Sequence, residues 1–151
     1  MQVELREITA DTVRAVCRLS VGPGQDAFVA PNAVSLAQAL FHPEAWYRAI
    51  YADGDLAGFV MLEDEAQRAQ PPAQPKVGLW RLMVDQRFQG RGIGQQAIAR
   101  VAAHLQQQGR TQLYTSYVPG EGGPERFYQS LGFVPTGEVD EDEVIAVLAL
   151  R

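Results

Sequence analysis

The residues best spaced to do chemistry form one run: Asp85-Gln86-Arg87-Phe88-Gln89-Gly90-Arg91-Gly92-Ile93-Gly94-Gln95. A strand-like stretch, Val77 to Asp85, leads into it, and a helix-like pattern leads out. Glycines let a backbone approach a ligand and turn successive N–H groups the same way. A helix start adds donors without intrahelical partners and the positive end of a dipole. The product is an anion cradle suited to a diphosphate. The glycines at 90, 92 and 94 lack the G-x-x-G step of the dinucleotide fingerprint, and no G-K-[ST] follows, so this is not a P-loop. On spacing alone, a tight strand-to-helix turn with no ligand also accounts for them.

A second segment lies further along: Glu125-Arg126-Phe127-Tyr128-Gln129-Ser130-Leu131-Gly132-Phe133. Together the two segments resemble the GNAT superfamily of acetyl-CoA-dependent N-acetyltransferases. Its Q-x-x-G-x-G turn is matched by Gln89–Gly94, and its later [LF]-Y-x-x-x-G-F helix end by Phe127–Phe133. The strand Leu79-Trp80-Arg81-Leu82-Met83-Val84-Asp85 also looks like the family's fourth strand. The order of elements agrees along the whole chain. More narrowly, several segments look like the bacterial spermidine or diamine N-acetyltransferase-like subgroup. They are Phe28-Val29-Ala30-Pro31-Asn32, Ser35-Leu36-Ala37-Gln38-Ala39, Trp80-Arg81-Leu82-Met83 and Tyr114-Thr115-Ser116-Tyr117-Val118-Pro119-Gly120.

The resemblance implies acetyl-CoA as cosubstrate and assigns roles residue by residue. The pyrophosphate would sit on backbone N–H groups of Gln89, Gly90, Arg91, Gly92, Ile93 and Gly94, with Gln95 at the helix start. Val84 would pair its backbone with the pantetheine amides. The N–H of Leu82 would polarise the thioester carbonyl as an oxyanion-hole donor. Tyr128 would protonate the departing thiolate, and reference values near 8.5 for a thiol and 10 for a phenol permit that transfer. The acceptor would be a primary amine, a small molecule such as a polyamine first. Acetylation of a protein N-terminus or lysine is the runner-up, and a non-catalytic acyl-CoA-binding module the alternative outside enzymes. A homodimer is common among the proteins it resembles.

An alkyl amine is mostly protonated at pH 7, so its proton needs a destination. Gly78, Leu79 and Trp80 offer no carboxylate on the fourth strand; Glu63, Asp64, Glu65 or water are the candidates. Glu121 and Pro124 stand where many relatives have asparagine and alanine; Pro124 can open a helix at its first turn, but Glu121 cannot donate the amide hydrogen bond that the resemblance implies to the cofactor. The acidic run Glu138 to Glu143 reads as a hairpin turn first and an attractor of polyamines second. Trp46, Trp80 and Tyr117 are core or pocket residues. His42 and His104 are isolated, and no metal-ligand spacing exists.

The elements that must hold these residues follow from periodicity. Strands are expected over 3–8, 46–51, 56–62, 77–85, 112–118, from Phe133, and over 144–150. Asp53-Gly54 marks a hairpin between the second and third. Helices are expected near 11–20, capped by Thr9 or Asp11 and stopped by Gly22-Pro23-Gly24. Others follow Pro31, with Val34, Leu36, Ala37 and Leu40 on one side and His42-Pro43 closing, and span Ile93 to Gly109 and 125–131. In the long one, Ile93, Ala97, Ile98, Val101, Ala102 and Leu105 share a face. Residues 66–75 read as a surface loop.

This order implies an α/β (α+β) domain over 1–151: a mixed, mostly antiparallel twisted sheet flanked by helices, with splayed central strands. The chain of 151 residues is 46% hydrophobic and 21% charged, an ordinary globular composition. A net charge of −5 argues against nucleic acid as a partner. No apolar run reaches the roughly 20 residues of a membrane span, and a cytoplasmic protein is expected. Cys17, the single cysteine, excludes an internal disulfide and reads as a small buried hydrophobe.

Overall fold

The computed structural model describes residues 1–23 and 30–150. Gly24 and the pair Phe28-Val29 lie outside the described residues. The strands are β1 (Val3–Arg6), β2 (Ala45–Ala52), β3 (Asp55–Asp64), β4 (Val77–Val84), β5 (Gln112–Tyr117), β6 (Val134–Asp140) and β7 (Glu143–Ala149). The helices are α1 (Val13–Arg18), α2 (Asn32–Ala39), α3 (Ile93–Gln107) and α4 (Glu125–Ser130). One sheet runs in the order β1-β2-β3-β4-β5-β7-β6. Every neighbouring pair is antiparallel except β4 and β5. No helix among the described residues is long and apolar enough to cross a membrane.

Local chemistry sets the connections. Asp53 and Gly54 have φ of 51° and 84°, the paired positive values of the tight turn that suits strand twist. Gly109 ends α3 in the left-handed region: its N–H donates to Gln106, and that of Arg110 donates to Leu105. Glu141 turns the acidic β6–β7 hairpin at φ 54°, with Asp140 opposite Glu143.

Two apolar clusters cover the two faces of the sheet. On one face Ile93, Ala97, Ile98, Val101 and Leu105 of α3 bury against Val60, Leu62, Leu79 and Leu82. Fully burying a side chain of this size stabilises by roughly 1.5–3 kcal/mol. On the other face Val16 and Leu19 pack on Ala49, Phe59, Met61 and Met83. Leu36 and Ala39 of α2 join them, as does Trp80.

Two features position the site. β4 and β5 are paired only at Gly78–Tyr114 and then diverge. Just beyond the junction the Thr115 hydroxyl donates to the Leu79 carbonyl at 3.4 Å. On its other edge β4 bulges: Met61 faces Arg81 and Leu62 faces Leu79, so Trp80 has no partner on β3. The extra residue resets the alternation, so that Leu79 and Leu82 share the α3 face while Trp80 and Met83 face α1 and α2.

Three expectations need correction. The buried side of α2 carries Asn32 and Ser35, while Val34, Ala37 and Leu40 are exposed. Asn32 pulls that polar side inward, because its amide donates to the Val16 carbonyl at 2.9 Å. Cys17 is exposed, because Val16 and Leu19 take the short inner face of α1. Neither Thr9 nor Asp11 caps α1 with its side chain. The N-cap is Thr12, and the Thr9 carbonyl receives the N–H groups of Thr12 and Val13.

Candidate active site

The diverging strands leave a cleft of about 690 Å³. Leu82, Met83 and Val84 form its β4 wall, the glycine turn one end, and Gly122-Gly123-Pro124, Phe127 and Tyr128 the opposite side. Leu82, Val84, Gln89, Gly90, Gly92, Ile93, Gly94, Gln95 and Tyr128 all line it. Arg91 does not. Its side chain bonds the Arg87 carbonyl at 3.3 Å and lies 5.4 Å from the Phe88 ring centroid.

The turn is braced from below by Asp85, only 3% exposed. Its carboxylate accepts the N–H groups of Ser20 and Arg87 at 3.0 Å each, and Arg87 Nε at 2.8 Å. Burial pushes this carboxyl up, but those hydrogen bonds, led by the Arg87 side chain, outweigh it and hold Asp85 below its ordinary value. The Gln89 amide donates to the carbonyls of Val84 at 2.9 Å and Val21 at 3.1 Å, tying the turn to β4.

Gly90 and Gly92 take φ of 81° and 78°, which only glycine adopts cheaply. The first helical bond of α3 runs from Gln96 N–H to the Gly92 carbonyl. Among the described residues no acceptor meets the backbone N–H groups from Gly90 to Gln95. A Cβ on Gly92 would meet nothing within 4 Å, so the protein leaves the space above the turn open. A row of unspent donors at one end and an apolar wall along β4 fit a ligand with an anionic head and a long neutral arm.

Tyr128 closes the other side. Its ring stacks on Tyr117 at 5.7 Å and meets Phe133 edge-on at 5.8 Å. Burial pushes its phenol above the ordinary value; the Thr115 hydroxyl and the charge of Arg81 pull it back, while Glu143 adds to the rise. Tyr117 is 2% exposed, and among the described residues its hydroxyl has no hydrogen-bond partner.

The candidate base carboxylates Glu63, Asp64 and Glu65 do not line the cleft. Glu63 and Asp64 stand opposite Gly78 and Val77, whereas Leu82 stands opposite Val60. Along β3, Glu63 lies three residues and Asp64 four residues from Val60, about 10 and 13 Å of strand. Asp64 is taken by Arg110 at 2.8 and 2.9 Å, and Glu65 by the Lys76 N–H and Arg68. Glu121 is exposed and outside the cleft, while Pro124 opens α4 and lines it. Trp46 stacks on His104 at 4.6 Å and Trp80 packs in the α1/α2 cluster, so both serve the core.

A model described as the acetyltransferase (GNAT) family matches residues 14–133. The chain belongs to this family. It is 28% identical over 144 residues to the spermine/spermidine N(1)-acetyltransferase of Bacillus subtilis strain 168, covering 93% of each chain. A crystal structure of an acetyltransferase from Thermus thermophilus superposes with a TM-score of 0.75 at 20% identity, covering 99% of this chain and 98% of that one. The PaiA N-acetyltransferase of Thermoplasma acidophilum, solved in complex with coenzyme A, gives 0.68 at 17% identity and covers 99% of both.

Asp85, Gln38 and Arg81 drew no role from the sequence, and of the three only Asp85 braces the turn of the cleft. Asp85 followed an apolar strand like any turn residue. Gln38 sits on a helix whose apolar residues pointed to a different inner face. Arg81 would face α3 in a regular strand, and only the bulge, set by register with β3, sends it toward α2, where it bonds Gln38.

Proposed function

We propose that this GNAT acetyltransferase moves an acetyl group from acetyl-CoA to a primary amine of a small molecule, with polyamines the first class to test. The observation that carries the reading is the β4–β5 cleft, which joins a row of unspent N–H donors at the glycine turn to the half-buried phenol of Tyr128. Bound there, acetyl-CoA supplies an activated acetyl thioester. The backbone from Gly90 to Gln95 holds the diphosphate, with the Gln89 side chain fixing the turn. Val84 offers its backbone to the neutral arm, and the Leu82 N–H donates to the carbonyl oxygen. Tyr128 gives a proton to the departing sulfur. The polyamine preference draws on the Bacillus relative and on the net charge of −5.

Thioester consumption by the purified protein tests this. Diamines, polyamines, monoamines and a peptide with a free N-terminus are compared at equal concentration. Acetyl-CoA should be consumed fastest with a diamine or polyamine, and acetylated product should match it mole for mole. A preference for the peptide would replace the acceptor class. No amine-dependent consumption would leave an acyl-CoA-binding module.

A further inference from the structure

Glu63 is a carboxylate without a partner. It is half-buried at the end of β3, and among the described residues its side chain forms no ion pair and no hydrogen bond. The carboxylates around it are engaged. Glu44 and Glu65 pair with Arg68 at 3.0 and 3.5 Å, and Asp64 with Arg110 at 2.8 Å. A partly desolvated carboxylate with no cation costs stability unless a ligand supplies one.

The sheet places it at the vertex of the cleft. By alternation Glu63 projects on the side of Phe59 and Met61, the face that α1 and α2 cover. Gly78, opposite Glu63, lies between Val77 and Leu79, which bury on the α3 face, so position 78 also looks to the α1/α2 side. A Cβ on Gly78 would lie 3.5 Å from Glu63 Cγ, 3.6 Å from its Oε1 and 3.9 Å from the Tyr114 carbonyl oxygen. With no side chain at 78, Glu63 leans across β4 to the point where β4 and β5 part. Tyr114, paired with Gly78 there, has a ring that already carries an ammonium: Lys76 Nζ is 5.0 Å from its centroid. Neither Lys76 nor Arg81 pairs with Glu63. Arg81 bonds Gln38 at 3.1 Å and the Trp80 carbonyl at 3.2 Å.

The separation that puts Glu63 out of reach as a base suits it to another task. Leu82 stands opposite Val60, three residues from Glu63, about 10 Å of strand. The glycine turn and the start of α3 give the cofactor the α3 side, so an amine reaches the thioester from the α1/α2 side. The acetyl group spans part of the 10 Å and the Glu63 side chain another part. A short aliphatic chain fills the rest. We propose that Glu63 anchors the second ammonium of a diamine or polyamine, beside the Tyr114 ring, while the first amine stands at Leu82 to be acetylated. This deepens the acetyltransferase reading given above and rests on it. Glu63 takes no proton in the reaction; it selects acceptors that carry a second cation.

The test compares putrescine with n-butylamine, which lacks only the second amine, at saturating acetyl-CoA. Wild type should show a lower KM for putrescine. Glu63→Gln should raise that KM about tenfold, with kcat within about twofold of wild type, and should change the n-butylamine constants little. Tyr114→Leu covers the case in which Glu63→Gln does not fold, and should raise the putrescine KM about threefold. A folded Glu63→Gln or Tyr114→Leu protein with an unmoved putrescine KM overturns the proposal. So does a fall in kcat with both amines, which would make Glu63 a base or a structural residue, and so does a wild type that handles the two amines alike. Absence of amine-dependent consumption by wild type is a different failure, because the acetyltransferase reading then falls and takes the anchor with it.

Discussion

Tyr128 is held by its ring, not by its hydroxyl: Tyr117, Phe127 and Phe133 all contact it. Tyr128→Phe should therefore fold normally and bind acetyl-CoA with near wild-type affinity. A positioned acid contributes about 10²–10⁴-fold in rate, so turnover with a good amine should fall by that range. Turnover within about threefold of wild type, with chemistry limiting, would make Tyr128 structural. Asp85 yields a prediction of a different kind. Its folded-state carboxyl lies below the unfolded reference of about 3.9. The stability it contributes is then fully present above that reference and is lost as pH falls through the folded value. Asp85→Asn should destabilise by about 1–3 kcal/mol at pH 7, because an amide serves the Ser20 and Arg87 N–H groups less well. The gap between variant and wild type should narrow below about pH 4, as urea melts across pH would record. A gap that stays constant down to acid would show that the charge of Asp85 is not what holds the turn.

The elements set how closely these residues approach one another. A Cβ on Gly94 would lie 3.1 and 3.2 Å from two ring atoms of Phe127, so α4 sits against the start of α3 only because residue 94 is glycine. Gly58 is more constrained still: a Cβ there would lie 2.4 Å from the Met83 carbonyl oxygen. Gly58→Ala must push β3 and β4 apart beside the cleft, and about 1–3 kcal/mol of stability should be lost in thermal melts. An unchanged melting temperature would mean that the two strands yield freely. Elements with strong local signals were legible in advance. The Asp53-Gly54 hairpin and the inner face of α3 needed only turn chemistry and a period of 3.6. α2 was legible as a helix but not as to which side faces in, because hydrogen bonds made by Asn32 and Gln38 to distant residues decide that. The β4 bulge was not legible at all, since it exists only in the register between β3 and β4. The same limit hid Arg81, whose residue type was plain and whose direction depends on that bulge.

At the scale of the molecule, binding and folding are linked through the cleft. Its walls come from β4, the start of α3 and α4, which meet only in the folded chain. A ligand that spans them binds the native state and not the unfolded one, so it must raise the melting temperature by mass action. At about 100 times its dissociation constant acetyl-CoA should add roughly 2.7 kcal/mol. For a chain of this size that is about 5–11 °C. Coenzyme A should give a similar shift, because it carries the same diphosphate and neutral arm. NAD and ATP bring phosphates but no such arm, so they should move the transition much less. Gly92→Val makes the measurement specific to the turn. The open space there costs the variant no clash within the protein, only the strain of a branched residue at φ 78°. It should melt a few degrees lower without ligand and show a reduced shift with it. If acetyl-CoA at millimolar concentration moves neither protein, the glycine turn is a strand-to-helix connection and the cofactor assignment fails. If it moves both equally, the ligand binds but the turn is not its cradle.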